Sequence, residues 1–267
     1  MSDLRPTTDG RQFLVLAPMR SELRSVLRAF GLRRGPDGAH YRRSLPGGGE
    51  VVAALLGVGP TAAAEATARL LDRYPAAHVV VSGVAGGIDP GMAIGTTVVP
   101  EVVLDLAAGK ERRPDPLGGV PQAGTVATTA DFITAEHDLA ALRSRGVSAV
   151  DMESAAVGAV CQRRGVEWTI FRSISDRPHD GMVDDAVFEI LRADGSVDLV
   201  AALRLTLASP GRIPALVRLG RDVGRAAGRA ARLAASACQP APAASGRESA
   251  SPRDQRLASG DQSSPAG

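Results

Sequence analysis

The sequence predicts an α/β fold with three layers, in which helices flank a mixed, largely parallel central sheet. Short apolar runs rich in β-branched residues alternate with amphipathic stretches of roughly ten to fifteen residues, a pattern typical of this class. Glycine and proline separate most of these segments. The 267 residues, 44% hydrophobic and 22% charged, are enough for one globular domain with additional segments.

The N-terminal half of the chain supplies most of the predicted strands. Apolar runs predict them at residues 12–17, 41–45, 50–56, 78–82 and 96–99. Helices are predicted at residues 20–30, ending at Gly31, and at residues 61–74, ending at Pro75. The strands at 41–45 and 50–56 flank a proline and three glycines, which indicates a hairpin.

The second half of the predicted domain repeats this alternation. Strands are predicted at residues 124–129, 147–150 and 166–172, and helices at residues 134–145 and 154–164. Residues 107–123 are rich in glycine, proline and charge. We expect them to form an irregular loop over the ligand site.

Carboxylates follow two of these strands. Asp151 and Glu153 come directly after the strand at 147–150, and the strand at 166–172 leads to Asp176. We expect the two strands to be neighbours, with their carboxyl ends at the crevice where open α/β sheets bind ligands. Two acids in different surroundings can divide the binding of a sugar from the protonation of a leaving group.

Composition and spacing exclude several other classes of protein. The net charge of +2 is too small to indicate a nucleic-acid partner. Two cysteines and four scattered histidines lack the spacing of metal ligands, so we predict no metal and no dissociable cofactor. The polar N-terminus and the absence of a long apolar run predict a cytoplasmic protein.

The chain divides into four predicted parts. Residues 1–10 form a flexible N-terminus, 11–209 the catalytic domain, 210–235 a basic amphipathic helix and 236–267 a disordered tail. One face of the helix carries Arg218, Arg221, Arg225, Arg229 and Arg232. Two interpretations stay open: peripheral contact with an anionic membrane through residues 212–233, or packing on the globule or on a partner subunit.

Four sequence blocks carry a family resemblance. They read LAPMRSE at 16–22, SGVAGG at 82–87, VDME at 150–153 and SISD at 173–176. In this order and spacing they resemble the nucleoside phosphorylase/nucleosidase superfamily, and in particular the 5′-methylthioadenosine/S-adenosylhomocysteine nucleosidases. The resemblance implies a three-layer phosphorylase/hydrolase-like fold, a nucleoside substrate and assembly as a homodimer.

The resemblance also implies roles for individual residues. Glu22 would activate a water molecule, Glu153 would bind the ribose hydroxyls and Asp176 would protonate N7 of the purine. The remaining residues implied in substrate binding are Met152, Phe132, Ile133, Val84, Ala85, Gly86, Arg172 and Ser175. Asp176 must then hold a proton near neutral pH, so its pKa must lie well above the usual value of about 3.9.

Structural interpretations of the same residues stay open. Asp151 can cap a helix, and Met152 can fill the core. Glu22 can be an exposed helical residue paired with a neighbouring arginine, and Arg172 can form an ion pair with Asp176.

The nucleophile and the C-terminal region leave two further alternatives. Related phosphorylases place arginine and serine where this chain has Val81 and Val84, so the resemblance favours water over phosphate. Residues 191–198 (LRADGSVD) and 210–222 (PGRIPALVRLGRD) resemble the hopanoid-associated phosphorylases. That branch implies an adenosylated hopane lipid as the alternative substrate.

Overall fold

The computed structural model describes residues 10–177 and 213–239, apart from residues 37, 39, 47, 132 and 134. Within this part of the chain, eleven strands form one mixed sheet with helices packed on both faces. The predicted α/β class with a mixed central sheet is therefore confirmed. The predicted flexible N-terminus and most of the predicted tail lie outside the described residues.

Eight of the eleven strands lie on predicted apolar runs, whereas β2, β7 and β8 were not predicted. Their bounds are β1 Gln12–Ala17, β2 Arg33–Arg34, β3 Tyr41–Ser44, β4 Glu50–Leu55, β5 His78–Gly87, β6 Thr97–Val98, β7 Val102–Asp105, β8 Lys110–Arg112, β9 Thr125–Thr128, β10 Val147–Asp151 and β11 Glu167–Asp176. Their order is β2-β3-β4-β1-β5-β10-β9-β7-β8, with β11 paired to β5 and to β6. The two longest ladders, β1–β4 and β5–β11, are parallel.

The helices form the two outer layers. They are α1 Arg20–Phe30, α2 Pro60–Arg73, α3 Glu136–Ser144, α4 Ser154–Arg164 and α5 Ile213–Ala237. Helix α1 buries Val26 and Phe30 on the predicted apolar face and ends at Gly31, whose φ of 63° is the left-handed conformation that glycine adopts readily. Helices α1 and α5 cover one face of the sheet, and α2 and α4 cover the other.

Strand β5 joins the two halves of the sheet. It pairs in parallel with β1 and β11, and its last residues pair antiparallel with β10. The expectation that β10 and β11 are neighbours is therefore wrong, because β5 lies between them. Both strands nevertheless reach the same residue, since Val150 and Asp176 are each aligned with Gly86.

The glycine-rich block at 82–87 is part of β5, which continues beyond the predicted end of this strand at residue 82. Pairing with β11 continues from His78 to Gly86, so the strand does not stop at Ser82. Glycine is needed here because neighbouring atoms approach closely. A Cβ added at Gly87 would lie 2.9 Å from Cγ2 of Ile174.

The predicted loop at residues 107–123 begins with a turn after the carboxyl end of β7 and with strand β8. It then runs to the start of β11, where the Asp115 N–H donates to the Trp168 carbonyl at 2.7 Å. Contrary to the sequence-based expectation, this later part, residues 113–123, lies away from the carboxyl ends of β10 and β11. The Asp115 carboxylate in turn accepts a hydrogen bond from the Trp168 N–H at 3.0 Å. Leu117 is buried in the core beneath α5. Residues 113–123 therefore close the opposite end of the sheet.

Helix α5 packs on the globule. Its inner face is alanine-rich and buries Ala226, Ala227, Ala230, Ala231, Ala234 and Ala235. The helix extends past the predicted end at residue 235, and Cys238 is also fully buried, so the tail cannot begin at residue 236. Among the described helices, none combines the length and the hydropathy that a membrane span requires.

Gly158 of α4 is a test of the packing between α4 and β11. A Cβ at this position would lie 2.5 Å from the Trp168 ring, so we expect Gly158→Ala to lower the free energy of unfolding by about 1–3 kcal/mol despite its better helix propensity. Gly220→Ala in α5 meets no atom within 4 Å and should stabilise by up to about 1 kcal/mol. Urea denaturation of both variants checks this; equal shifts would contradict it.

Candidate active site

Glu22 turns inward from the first turn of α1. Its Oε2 accepts a hydrogen bond from the Met19 N–H at 2.7 Å, and its Oε1 accepts one from the Val84 N–H, also at 2.7 Å. The first bond ties the side chain to the helix start, and the second anchors it to β5 beyond the point where β1 ends. Glu22 is 1% exposed, so the interpretation as an exposed helical residue is wrong.

Arg172 of β11 is the fully buried cation of this site. Its Nε donates to Oδ2 of Asp151 at 2.8 Å, and its Nη2 lies 2.7 Å from the same oxygen and 3.0 Å from Oε2 of Glu153. The pairing with Asp176 that the sequence allowed is not formed. Burial opposes the charge on Arg172, but Asp151 and Glu153 outweigh it and raise its pKa.

Asp151 is the functional residue that sequence reasoning underestimated. Besides holding Arg172, its Oδ1 accepts hydrogen bonds from the Thr128 hydroxyl at 2.7 Å and from the Ser154 N–H at 3.3 Å. It therefore stabilises the start of α4, as a cap would, and also neutralises the buried arginine. The available signal was Arg172 itself, because an arginine inside an apolar strand needs a carboxylate partner.

Glu153 links this cluster to the start of α2. Its Oε1 accepts a hydrogen bond from the Gly59 N–H at 3.0 Å, and its Oε2 receives Arg172. The side chain is almost fully buried, and desolvation raises its pKa although Arg172 acts in the opposite direction. Each carboxylate oxygen can accept a second hydrogen bond, so Glu153 retains capacity for a ligand hydroxyl.

Asp176 ends β11 and is half-buried. Its Oδ1 accepts a hydrogen bond from the Ser175 hydroxyl at 2.6 Å. Its Oδ2 lies beside Gly86, because a Cβ added there would be 3.5 Å away. Ser175, Asp176 and the Ala85–Gly86 backbone thus lie together at the end of β5 and β11.

Strand β5 runs from the cluster of Glu22, Glu153 and Arg172 to Asp176. Gly83 is aligned with Arg172, and Gly86, three residues further, is aligned with Asp176. A Cβ at Gly83 would lie 2.4 Å from Oε1 of Glu22 and 2.5 Å from Nη1 of Arg172, so only glycine lets both charged groups approach this strand. Arg172 Nη1 is buried and has no hydrogen-bond partner among the described residues.

Three further residues were predicted to bind the substrate. Met152 is half-buried between Asp151 and Glu153. Ile133 packs against the core cluster that contains Leu139 and Leu142. Phe132 lies outside the described residues. In the described part of the chain, no group of three or more His, Cys, Asp or Glu side chains is arranged to hold a metal ion.

The charges around Arg172 favour a carboxyl group that holds a proton near neutral pH. Glu22, Asp151 and Glu153 surround one arginine, so the carboxylates outnumber the cation. Burial raises the pKa of Glu22 from 4.5 to about 7; Arg172 and the two backbone N–H donors lower it, and Glu153 raises it further. A carboxyl group with such a pKa can accept a proton from a bound molecule near neutral pH.

Comparison with known proteins identifies the family of the chain. The model of the phosphorylase superfamily matches residues 13–121 and 118–208, and the chain belongs to that superfamily. Among curated proteins, it is similar to the 5′-methylthioadenosine/S-adenosylhomocysteine nucleosidase of Colwellia psychrerythraea strain 34H. The two are 31% identical over 164 residues, covering 48% of this chain and 68% of that protein. The corresponding nucleosidase of Shewanella frigidimarina is 28% identical over 187 residues, with 58% and 81% covered.

Solved structures agree on the fold. The Colwellia psychrerythraea nucleosidase in complex with adenine superposes with a TM-score of 0.60 at 22% identity, covering 86% of this chain and 95% of that one. The futalosine hydrolase of Helicobacter pylori superposes with a TM-score of 0.62 at 20% identity, covering 85% and 97%. At these identities the likeness establishes the fold, and enzymes named for different substrates share it.

The pKa of Glu22 predicts a dependence of stability on pH. Because the folded pKa of about 7 exceeds the ordinary value of 4.5, the stabilisation is complete below pH 4.5 and is lost as the pH rises through 7. Glu22→Gln removes this dependence. The variant should therefore gain roughly 3 kcal/mol relative to the native protein between pH 4.5 and pH 8, whatever its constant cost. Urea denaturation across this range measures it. Glu65→Gln, an exposed change, is the control, and parallel curves for Glu22→Gln and the native protein would contradict the prediction.

Substitution of Asp151 should lower the free energy of unfolding, because this residue holds the buried Arg172. Asp151→Asn removes the carboxylate that accepts from Arg172 Nε and from Thr128, while Glu153 stays as an ion-pair partner of Arg172, so it should lower the free energy of unfolding by about 1–3 kcal/mol. The matched control is Asp72→Asn, which breaks the exposed ion pair with Arg164 and should leave stability nearly unchanged. Denaturant unfolding of the two variants compares them directly. Similar losses would mean that burial of Arg172 does not matter.

Proposed function

We propose that this protein is a purine nucleosidase that hydrolyses the N-glycosidic bond of a 5′-modified adenosine, such as methylthioadenosine or S-adenosylhomocysteine, and releases adenine. The single observation that carries the proposal is the arrangement of three acids: Glu22, whose raised pKa suits a general base, contacts β5 at Val84, Asp176 is aligned with Gly86 of the same strand, and Glu153 binds Arg172, which is aligned with Gly83. The names of the similar proteins support the same substrate class.

The proposed reaction divides the work among the three acids. Glu22, when ionised, takes a proton from the attacking water, which the unpartnered Arg172 Nη1 helps to hold beside Gly83. Glu153 accepts hydrogen bonds from the ribose hydroxyls and stabilises positive charge on the sugar ring. Asp176 donates a proton to N7, so that the purine leaves as a neutral base. No cofactor takes part in these steps.

The remaining predicted binding residues complete the proposal. Met152 contacts the sugar face, and Phe132 and Ile133 contact the base. The backbone at Val84, Ala85 and Gly86 passes the ribose, and Ser175 orients Asp176 through its hydroxyl. Assembly as a homodimer and a cytoplasmic location stay predictions.

Water suits this site better than phosphate as the nucleophile. Glu22, Asp151 and Glu153 outnumber the one buried arginine, and two of these carboxylates already occupy its Nε and Nη2 groups. A phosphate dianion would therefore meet repulsion, and among the described residues Arg172 offers it only the one unpaired nitrogen, Nη1. The Val84 side chain cannot replace the missing donors, and its N–H is used by Glu22.

A second candidate is removal of adenine from an adenosylated hopane lipid. The observation that favours it is the row of arginines on the outer face of α5, of which Arg225 is 76% exposed. Deleting the chain from Pro210 would be a poor test, because it removes the alanines that α5 buries in the core. Substrate comparison on the intact chain is the better test.

The reaction can be assayed by adenine release. We expect methylthioadenosine or S-adenosylhomocysteine to release adenine without phosphate, and faster than futalosine or an adenosylated hopane lipid in detergent. Asp176→Asn should lower kcat by roughly 10²–10⁴-fold, because the acid is lost, and leave substrate binding nearly unchanged. Asp131→Asn, an exposed carboxylate on the loop after β9, is the control. Release only with phosphate, or full activity of Asp176→Asn, would overturn the proposal.

A further inference from the structure

A basic groove runs between α1 and α5 on the surface of the protein. Four exposed arginines line it, Arg24 and Arg28 from α1 and Arg221 and Arg225 from α5, together with Ser21, Ser25 and Gly224. Its volume is about 400 Å³, within the range of roughly 300–1,000 Å³ that is usual for small-molecule sites.

The spacing of these residues explains why their side chains meet. In α1, residues 21, 24, 25 and 28 follow the spacing of one helical face; in α5, residues 221, 224 and 225 do the same. The two helices pack side by side, so both faces border the same groove. Gly224 has no side chain, and a Cβ there would meet no atom within 4 Å, which leaves the middle of the groove open.

The charges in the groove are poorly balanced. Nη1 of Arg225 lies 3.3 Å from Oδ1 of Asp222. Among the described residues, Asp222 is the carboxylate found beside the groove. Arg24 donates its Nε to the Arg20 carbonyl at 3.3 Å. Among the described residues, no carboxylate lies within ion-pair distance of Arg24, Arg28 or Arg221. Like charges four residues apart on a helix destabilise it, so this arrangement costs stability unless an anion is bound.

The groove is separate from the active site. Glu22 lies between Ser21 and Arg24 in the sequence, but its carboxylate faces Val84 on the inner side of α1. The Arg24 and Arg28 side chains are exposed on the outer side. A ligand of the groove therefore need not be the substrate of the reaction.

The geometry points to a binding site for an anion with several phosphoryl groups. Each guanidinium offers a planar fork of N–H donors that matches two phosphate oxygens. The Ser21 hydroxyl can add a further donor, whereas the Ser25 hydroxyl donates to the Ser21 carbonyl. Four forks on two helices suit clustered phosphoryl groups better than a single carboxylate. Such groups occur on a free polyphosphate compound or on the headgroups of an anionic lipid surface.

Titration calorimetry with tripolyphosphate at low salt tests the site. The native protein should bind it, with an affinity that falls as salt is added. Arg24→Ser combined with Arg221→Ser should weaken binding about tenfold or more, since each substitution removes a charge-assisted contact. The matched control is Arg69→Ser combined with Arg163→Ser, two exposed arginines on the adjacent helices α2 and α4, which makes the same change in net charge.

The outcomes separate the site from general charge attraction. Control binding equal to that of the native protein supports the site; equal loss in both double variants, or no binding by the native protein, overturns it. Denaturant unfolding shows whether the first double variant is folded, and relief of repulsion should keep it at least as stable as the native protein without ligand.

Vesicles identify the source of the phosphoryl groups. The native protein is mixed with phosphatidylcholine vesicles with and without phosphatidylglycerol. Binding only to the anionic vesicles, displaced by tripolyphosphate and lost in Arg24→Ser/Arg221→Ser, assigns the groove to lipid headgroups. Tripolyphosphate binding without vesicle binding assigns it to a soluble compound. Because neither measurement uses adenine release, failure here leaves the proposed nucleosidase activity untouched.

Discussion

The buried guanidinium of Arg172 constrains the rest of the active site. An uncompensated charge at this depth would cost several kcal/mol, so the fold must bring carboxylates to it with good geometry. Asp151 and Glu153 meet this requirement from the junction between β10 and α4, and Glu153 extends the contact to the start of α2 through Gly59. One ion-pair cluster thereby connects elements that are distant in the chain, and the position of Glu153 follows from it.

The same cluster decides the chemistry that the site favours. Three carboxylates around one arginine leave a surplus of negative charge, and burial makes ionisation of Glu22 and Glu153 more costly. Glu22 responds with a pKa near 7, where a carboxyl group can exchange protons with water at physiological pH. A site of this charge accepts a neutral nucleophile more readily than a phosphate dianion. The preference for water thus follows from the balance of charge as well as from the residues of the glycine-rich block.

Helix α5 shows how one segment can satisfy two environments. Its alanine face lets it approach β5 and β11 closely and complete the core, while its arginines stay on the outer surface. Arg229 is an exception within that row, because it donates a hydrogen bond to the Gly95 carbonyl and packs over that glycine. Because α5 packs on the globule through its alanines, most of its arginines stay exposed, and two of them line the groove beside α1.

The sequence by itself determined the α/β class, the positions of most strands and helices, and the four blocks that carry Glu22, Glu153 and Asp176. These features depend on local periodicity, on glycine at helix ends and on short motifs, all of which are written in neighbouring residues. Only the tertiary structure decided that Arg172 pairs with Asp151, 21 residues away, that the glycine-rich block is a strand, and that residues 113–123 close the far end of the sheet. Such outcomes depend on strand register and on the depth of each charge, because pairing energies act between residues that local sequence patterns do not connect.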